Sequence, residues 1–390
     1  MRLRRVFVAA AGGLVSLAGL GLVAGVAFTW WLSTPTGNRW LKRSLETTVS
    51  ASMAEGAFEI DHLETNLVSR LDIRGLRIID PLGRPFLEVP EASAKLDITS
   101  LITGPLHVQS LDARGVLLRL DTGSSGRLRL AELFGPPSDS TEPFSMPIGL
   151  EIDRAVLEGT RVLMDETLRL EGGDLTTRLD VDGPVFTLTG ADLCAHLVVP
   201  GPLPVCATGP LVWDGGALTL TGLAVEGPGT ALALTGTAGS TMDLKVDAGR
   251  IDLLGLDPVA SRTGLRGVLG GSLSIVGPTD DLRITGDLAG LDGTSGAVRV
   301  DATAKLGETL AWGGKLGATN LDVAQLYEGT PMPVVLNGTL DLDAAGVRYP
   351  DDLALGLAYR GRVDVDGTYH LRDAAFDGRI EKGLLKLTRG

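Results

Sequence analysis

The chain has 390 residues, 44% of them hydrophobic but only 4% aromatic, with 53 glycines and a formal net charge of −13. An acidic chain without a long basic run excludes nucleic-acid binding, which needs clustered Lys and Arg against phosphates. The aliphatic balance excludes a disordered polymer, and a cysteine pair, Cys194 and Cys206, excludes both a disulfide-dense scaffold and a four-cysteine zinc site.

Residues 1–5 carry Arg2, Arg4 and Arg5, and residues 6–32, VFVAAAGGLVSLAGLGLVAGVAFTWWL, contain no charge. A bilayer core of ~30 Å needs ~20 apolar helical residues, so 6–32 reads as a transmembrane signal anchor. The arginines hold residues 1–5 in the cytoplasm, and Trp30 and Trp31 mark the far interface. A cleaved signal peptide is the competing reading; the apolar run exceeds the usual ~7–15 residues and lacks a small-x-small cleavage site. The remainder is then expected outside the cytoplasm, in the periplasm of a two-membrane bacterium. That space is oxidising, so Cys194 and Cys206, symmetric about Pro200, can pair across a hairpin at Pro200–Gly201 or stay as buried thiols.

Residues 33–56 predict a juxtamembrane amphipathic helix. Thr34 can cap it, Pro35 suits its first turn, Trp40, Leu41, Leu45 and Val49 lie roughly on one side, and Gly56 stops it. Beyond Gly56 the period changes from helical to alternating. Residues 57–133 form a first β segment, 134–147 (FGPPSDSTEPFSMP) a Pro-rich loop, and 148–390 a repetitive β segment.

LTLTGLAVEGPGTALALTG, residues 218–236, shows the recurring unit: apolar-x-apolar-x-Gly. It ends at Gly75, Gly172, Gly183, Gly190, Gly222, Gly236, Gly277, Gly286, Gly338 and Gly367, with mostly polar residues between the apolar ones. Strand period two makes one face aliphatic and the other wet, and puts each glycine where a third apolar side chain is expected. LDITSL (96–101), IDLLGL (251–256) and LDVAQL (321–326) form a second repeat, read as short helical turns capped by Asp between multi-strand units.

Aliphatic surface costs ~25 cal/mol per Å² when wet, so the face needs a cover. Hardly any amphipathic helix follows residue 56. A second sheet could cover it as a sandwich, or the sheet could curl around an apolar guest. Glycines on the inner face favour the curl, because they remove side chains where it is tightest.

The anchor, then TPTGNRWLKRSLE, then GLRIIDPLGRPFLEVPEASAKLDITSLITGPLHVQSLDARGVLLRL resembles the AsmA-like family, and within it the TamB type of inner-membrane subunit of the translocation and assembly module. GLRGVLGGSLSIVGPTDDLRITGDL is similar to the repeated strand units of that family. The resemblance implies a mainly β fold, a long, curved, repetitive antiparallel β-sheet groove (taco-like) behind the transmembrane helix. It implies phospholipid transport to the outer membrane and assembly of proteins there, with membrane lipids, the inner membrane and an outer-membrane barrel assembly protein as partners. TamB-type chains are longer, so this one is expected to continue in a longer product or to hand its cargo to a partner by strand addition.

On this reading the groove is lined by Leu71, Ile73, Leu168, Leu170, Leu188, Leu218, Leu220, Leu232, Leu234, Ile284, Leu336 and Leu340, and its curvature glycines are Gly190, Gly222, Gly236, Gly286 and Gly338. No catalytic residue or cofactor is expected: the chain has no G-x-S-x-G elbow, P-loop or dinucleotide fingerprint. His62, His107, His196 and His370 lack the short spacing of a zinc pair. The alternatives are a structural or chaperone module that pairs strands with outer-membrane proteins, and an anchored β-sandwich enzyme or adhesin.

Overall fold

The computed structural model describes residues 34–53, 56–65, 70–97, 106–119, 149–163, 169–182, 185–199, 201–214, 217–256, 264–305, 310–330, 332–347, 354–381 and 384–389. The anchor at 6–32, the loop at 134–147 and residues 98–101 of the first LDITSL repeat lie outside them. Among the described residues no helix is long and apolar enough to cross a membrane. The fold is mainly β. It divides into two compact units, residues 1–144 with 148–158, and residues 145–147 with 159–390. The division thus falls at Gly159, after the Pro-rich loop at which the β segments were expected to part.

The first unit opens with α1 (Pro35–Ser52). Thr34 caps it by accepting the Gly37 N–H, with Pro35 in the first turn. Strands β1 (Ala57–Thr65), β2 (Arg70–Ile79), β3 (Pro85–Asp97) and β4 (Leu106–Arg114) follow as an antiparallel meander. β5 (Leu117–Arg119) continues β4 along β3 past Gly115. β6 (Leu150–Leu163) then pairs with β4 in parallel, Leu106 opposite Leu150 and Arg114 opposite Glu158. This departs from the all-antiparallel expectation. Two-residue hairpins cannot join parallel strands, and here the whole of residues 120–149 intervenes.

α1 carries Asn38, Lys42, Glu46 and Ser50, each four residues apart, so they form one stripe. That stripe runs along β1. Ser50 Oγ accepts the Phe58 N–H at 3.2 Å, Glu46 Oε1 the Ile60 N–H at 3.0 Å and Asn38 Oδ1 the Thr65 N–H at 3.3 Å, while Lys42 Nζ donates to the Asp61 carbonyl at 3.2 Å. An open strand edge is a template for further pairing; here helix side chains take up its backbone groups. The apolar side of the helix ends in Met53, which is packed with Ile78 and Phe86 and flanked by Val49, Phe58, Leu87 and Leu118. Trp40, expected on the apolar side, is 49% exposed.

Between β2 and β3, buried Asp80 ties the turn. Its carboxylate accepts the Leu82 and Arg84 N–H groups at 2.9 and 2.8 Å and pairs with Arg84 Nε at 3.0 Å. Burial pushes its pKa up, but the Arg84 backbone and side-chain hydrogen bonds, the Arg84 charge and the Leu82 bond outweigh it, leaving a value below the usual one.

In the second unit β7 (Arg169–Asp182), β8 (Val185–Val199), β9 (Gly201–Trp213), β10 (Ala217–Gly227), β11 (Thr230–Gly239), β12 (Thr241–Asp252), β13 (Val268–Pro278), β14 (Leu282–Leu291), β15 (Ala297–Lys305), β16 (Leu310–Asp322), β17 (Val334–Val347), β18 (Ala354–Val365), β19 (Tyr369–Glu381) and β20 (Leu384–Arg389) pair antiparallel, each with the next. Cys194 and Cys206 are register partners across the β8–β9 hairpin and are disulfide-bonded. The Asp repeat behaves as caps. Asp252 Oδ1 accepts the Leu254 N–H at the turn Leu254–Leu256. Asp322 Oδ1 accepts the Ala324 N–H at the start of α2 (Val323–Leu326), and the Val334 N–H that opens β17.

The repeated glycines do two different things. Gly222 has φ +68° and is an extra residue: Thr221 faces Thr235, yet Leu223 already faces Leu234. The same shift occurs against β9. Gly222 is therefore a β-bulge, and it flips the side-chain parity so that Leu218, Leu220, Leu223 and Val225 all share one face. Gly190 repeats this with φ +63°, and a Cβ at either glycine would meet nothing within 4 Å. The expectation that these two sit on the apolar beat is thus corrected: the next residue, Ala191 or Leu223, fills the place. At Gly236, Gly286 and Gly338 the reverse holds. These do fall on the apolar beat, and an added Cβ would collide with the carbonyl oxygens of Asp243, Ser272 and Arg360 on neighbouring strands. Gly367 belongs instead to the β18–β19 turn, beside Asp366, both at positive φ.

Three outcomes are expected. Gly286→Ala should cost more than about 2 kcal/mol, because backbone has to move, whereas Gly222→Asn should stay within about 1 kcal/mol since Asn tolerates φ > 0; urea midpoints of the two variants check this. Glu46→Ala leaves the Ile60 N–H without its acceptor, so the Ile60 amide should exchange hydrogen at least about tenfold faster by mass spectrometry or NMR. A carboxylate with a depressed folded pKa stabilises above its unfolded pKa of about 3.9 and loses that contribution as pH falls through the folded value. Asp80→Asn should therefore lower the melting temperature at pH 7, and the gap from the parent should close on acidification below about pH 4.

Candidate functional site

The second unit carries one continuous aliphatic sheet face, built by register. One row of opposed residues runs Leu179, Leu188, Leu211, Leu220, Gly236, Leu244, Ile275, Ile284, Ala302, Gly314, Leu342 and Leu357, from β7 to β18. The next runs Leu223, Leu234, Val246, Leu273, Gly286, Val300, Leu316, Leu340, Tyr359 and Phe376. A third runs Val225, Leu232, Ala248, Gly271, Leu288, Val298, Ala318, Gly338, Gly361 and Ala374. Leu218 and Leu336 stand on the same face in flanking rows, opposite Trp213 and Leu321.

The rows between these are polar. Thr221, Thr235, Lys245, Ser274, Thr285, Asp301, Lys315 and Asp341 oppose one another on the other face. Ion pairs join it, Arg299 to Asp287 at 2.8 Å and Arg283 to Asp301 at 3.2 Å, all exposed. The hydrogen bond and charge of Asp287 raise the Arg299 pKa. Exposed pairs of this kind contribute little stability, so their role is to keep that face wet.

Burial along the aliphatic face is incomplete. Leu220, Leu223, Val246 and Ala248 are buried, as is Tyr359, whose hydroxyl donates to the Arg362 carbonyl and whose ring stacks on Phe376 at 5.1 Å. Leu170, Leu188, Leu218, Leu232, Leu234, Leu273, Ile275, Ile284, Leu316, Leu336 and Leu340 are half-buried. In the first unit Leu71 and Ile73 are half-buried, and they face Thr65 and Leu63 of β1 and Ala94 and Ala92 of β3. Leu168 lies outside the described residues.

Leu223, Val225, Val246, Ala248, Leu273 and Leu316 belong to the face but were not among the lining residues expected from the sequence: Leu273 stands in the copy of the pattern that ends at Gly277, Leu223 and Val225 form a further copy ending at Gly227, and Val246, Ala248 and Leu316 fall outside the pattern. For Leu223 the signal was present: an apolar residue directly after the glycine resumes the beat with opposite parity. Finding Val246 or Leu316 requires the register of the neighbouring strand.

No family model matches the chain, and no solved structure matches it. A chaperone protein DnaJ from Deinococcus proteolyticus is 32% identical over 127 residues, which are 32% of this chain and 36% of that relative. The chain thus spans about a third of the length of that protein, and the likeness names no family for it.

Proposed function

We propose that this protein holds lipid acyl chains against the aliphatic face of its second unit, as an inner-membrane-anchored periplasmic carrier of phospholipid toward the outer membrane. The observation that supports it is the continuity of the three apolar rows, in which Leu188, Leu232, Leu234, Leu273, Ile275, Ile284, Leu316 and Leu340 remain half-buried. Water is a poor neighbour for so wide an aliphatic surface, and contiguous apolar patches beyond a few hundred Å² mark interaction sites. A hydrocarbon guest satisfies the face without asking for hydrogen bonds, which suits rows that present none.

Scale agrees with a conduit rather than a single pocket. From β7 to β18 the first row crosses eleven interstrand steps, roughly 53 Å along the sheet at ~4.8 Å each. A bilayer core of ~30 Å holds two leaflets, so one acyl chain reaches ~15 Å, and several can lie side by side. Headgroups would stay at the wet margin, and no nucleotide site is needed for exchange between neighbouring positions. Strand pairing with nascent outer-membrane barrels is the second role of the same anchored protein; in the first unit the backbone groups along β1 that α1 engages are already occupied, which directs that role to other edges.

Adjacent residues on opposite faces give the test. A photoreactive side chain at Leu234, in cells, should capture phospholipid, while one at Thr235 should capture little. Equal capture at both positions, or none at Leu234, overturns the proposal. Leu234→Asp with Leu316→Asp places charge on the face at half-buried positions and should reduce capture from Ile284 by about tenfold or more, given the ~2–7 kcal/mol cost of setting a polar group against hydrocarbon.

A further inference from the structure

A group of metal-ligating side chains sits on the polar face of the first unit, away from the aliphatic rows. His107 on β4 opposes Asp97 on β3 and Glu151 on β6. Asp153, two residues further along β6, shares that face. One ring nitrogen of His107 and one oxygen each of Glu151 and Asp153 lie within 4.8 Å of one another. His107 Nε2 is 3.0 Å from Asp153 Oδ2. On the other side of the ring, Nδ1 is 3.7 Å from Asp97 Oδ2.

We propose that His107, Glu151 and Asp153 form a binding site for a divalent transition cation of the zinc type. Two observations point there beyond the mere presence of carboxylates. The first is the donor set. An imidazole nitrogen with two carboxylate oxygens suits Zn²⁺, whereas all-oxygen sets suit Ca²⁺ and Mg²⁺. Tetrahedral bonds of about 2.0–2.2 Å to one ion put neighbouring ligand atoms about 3.3–3.6 Å apart, so the Nε2–Oδ2 pair, hydrogen-bonded at 3.0 Å, has to open by only a few tenths of an ångström to admit one. The second is the far side of the ring. A metal-bound histidine turns its other N–H toward a carboxylate that fixes its tautomer and orientation, and Asp97 lies on that side of the ring, 3.7 Å away and a small movement short of a hydrogen bond.

The location gives the site a purpose. β4 and β6 are the parallel pair of this unit, with no hairpin to join them and a pairing slightly weaker per residue than an antiparallel one. A cation held by His107 from β4 and by Glu151 and Asp153 from β6 would clamp that junction. The sequence hid the site because its ligands are 44 and 46 residues from the histidine and meet only through a parallel register.

Zinc binding is tested on the purified full chain in detergent, stripped with chelator and titrated by calorimetry. One saturable site per chain is expected, with a dissociation constant of about 10 µM or tighter, and Mn²⁺ or Ca²⁺ should bind more weakly. His107→Ala and Asp153→Asn should each weaken it by about tenfold or more, Asp97→Asn by about 10–100-fold. His370→Ala, which removes a histidine paired with Asp364 in the second unit, should change nothing. Added Zn²⁺ should raise the melting temperature of the parent but not of Asp153→Asn, an exposed position chosen because it should not disturb folding. No saturable zinc binding up to about 100 µM, or binding that survives both His107→Ala and Asp153→Asn, overturns the assignment.

Discussion

Strand register is the constraint on which the rest of this structure depends. In a pleated sheet a slip of one residue sends every aliphatic side chain to the solvent face. Along the rows of the second unit the leucines, valines and isoleucines stay in step from strand to strand, although strand lengths differ and several strands contain an odd residue. The device that absorbs the odd residue is glycine at positive φ. Gly190 and Gly222 each add one residue and reverse the side-chain parity, so the apolar set continues where it left off. Other glycines serve the same rows differently: at Gly236, Gly286 and Gly338 neighbouring backbone comes so close that no side chain fits. One residue type thus preserves the face in two unrelated ways.

Much of this was legible in the amino-acid order. Alternation of Leu with Thr or Asp announced one dry and one wet face, the spacing of Cys194 and Cys206 was compatible with a hairpin pair, and the Asp of IDLLGL and LDVAQL announced a cap. Those signals are local, each carried by residues within one turn or one strand. The meaning of the glycines was less legible, because alternation looks the same for a glycine on the beat and a glycine that shifts it until the neighbouring strand is aligned. The parallel β4–β6 pair was invisible for a stronger reason. Its partners are separated by a long stretch of chain, and nothing in either strand alone distinguishes parallel from antiparallel company. Asp97, His107, Glu151 and Asp153 shared that fate.

The two units treat exposed backbone and apolar surface differently. In the first, α1 lends side chains to the edge of β1 and packs its Met53 end onto Ile78 and Phe86, so helix and sheet satisfy each other. The polar stripe Asn38, Lys42, Glu46 and Ser50 matters as much as the apolar side. In the second unit the main partner of each strand is the next strand, and the aliphatic face is shielded largely by closeness of its own neighbours. That leaves the leucines of the rows half-buried, with apolar surface that a guest of the kind proposed would cover.

The serial pairing of β7 through β20 has a mechanical consequence. Because these strands lean mainly on their chain neighbours, tension applied at the β20 end would peel hairpins away one after another, up to the β8–β9 pair that the Cys194–Cys206 disulfide locks, instead of rupturing a single cooperative block. Such a zipper yields length in small increments and re-forms by local closure. A tether with this property can stretch between two attachment points and recover its rows intact when the load is released.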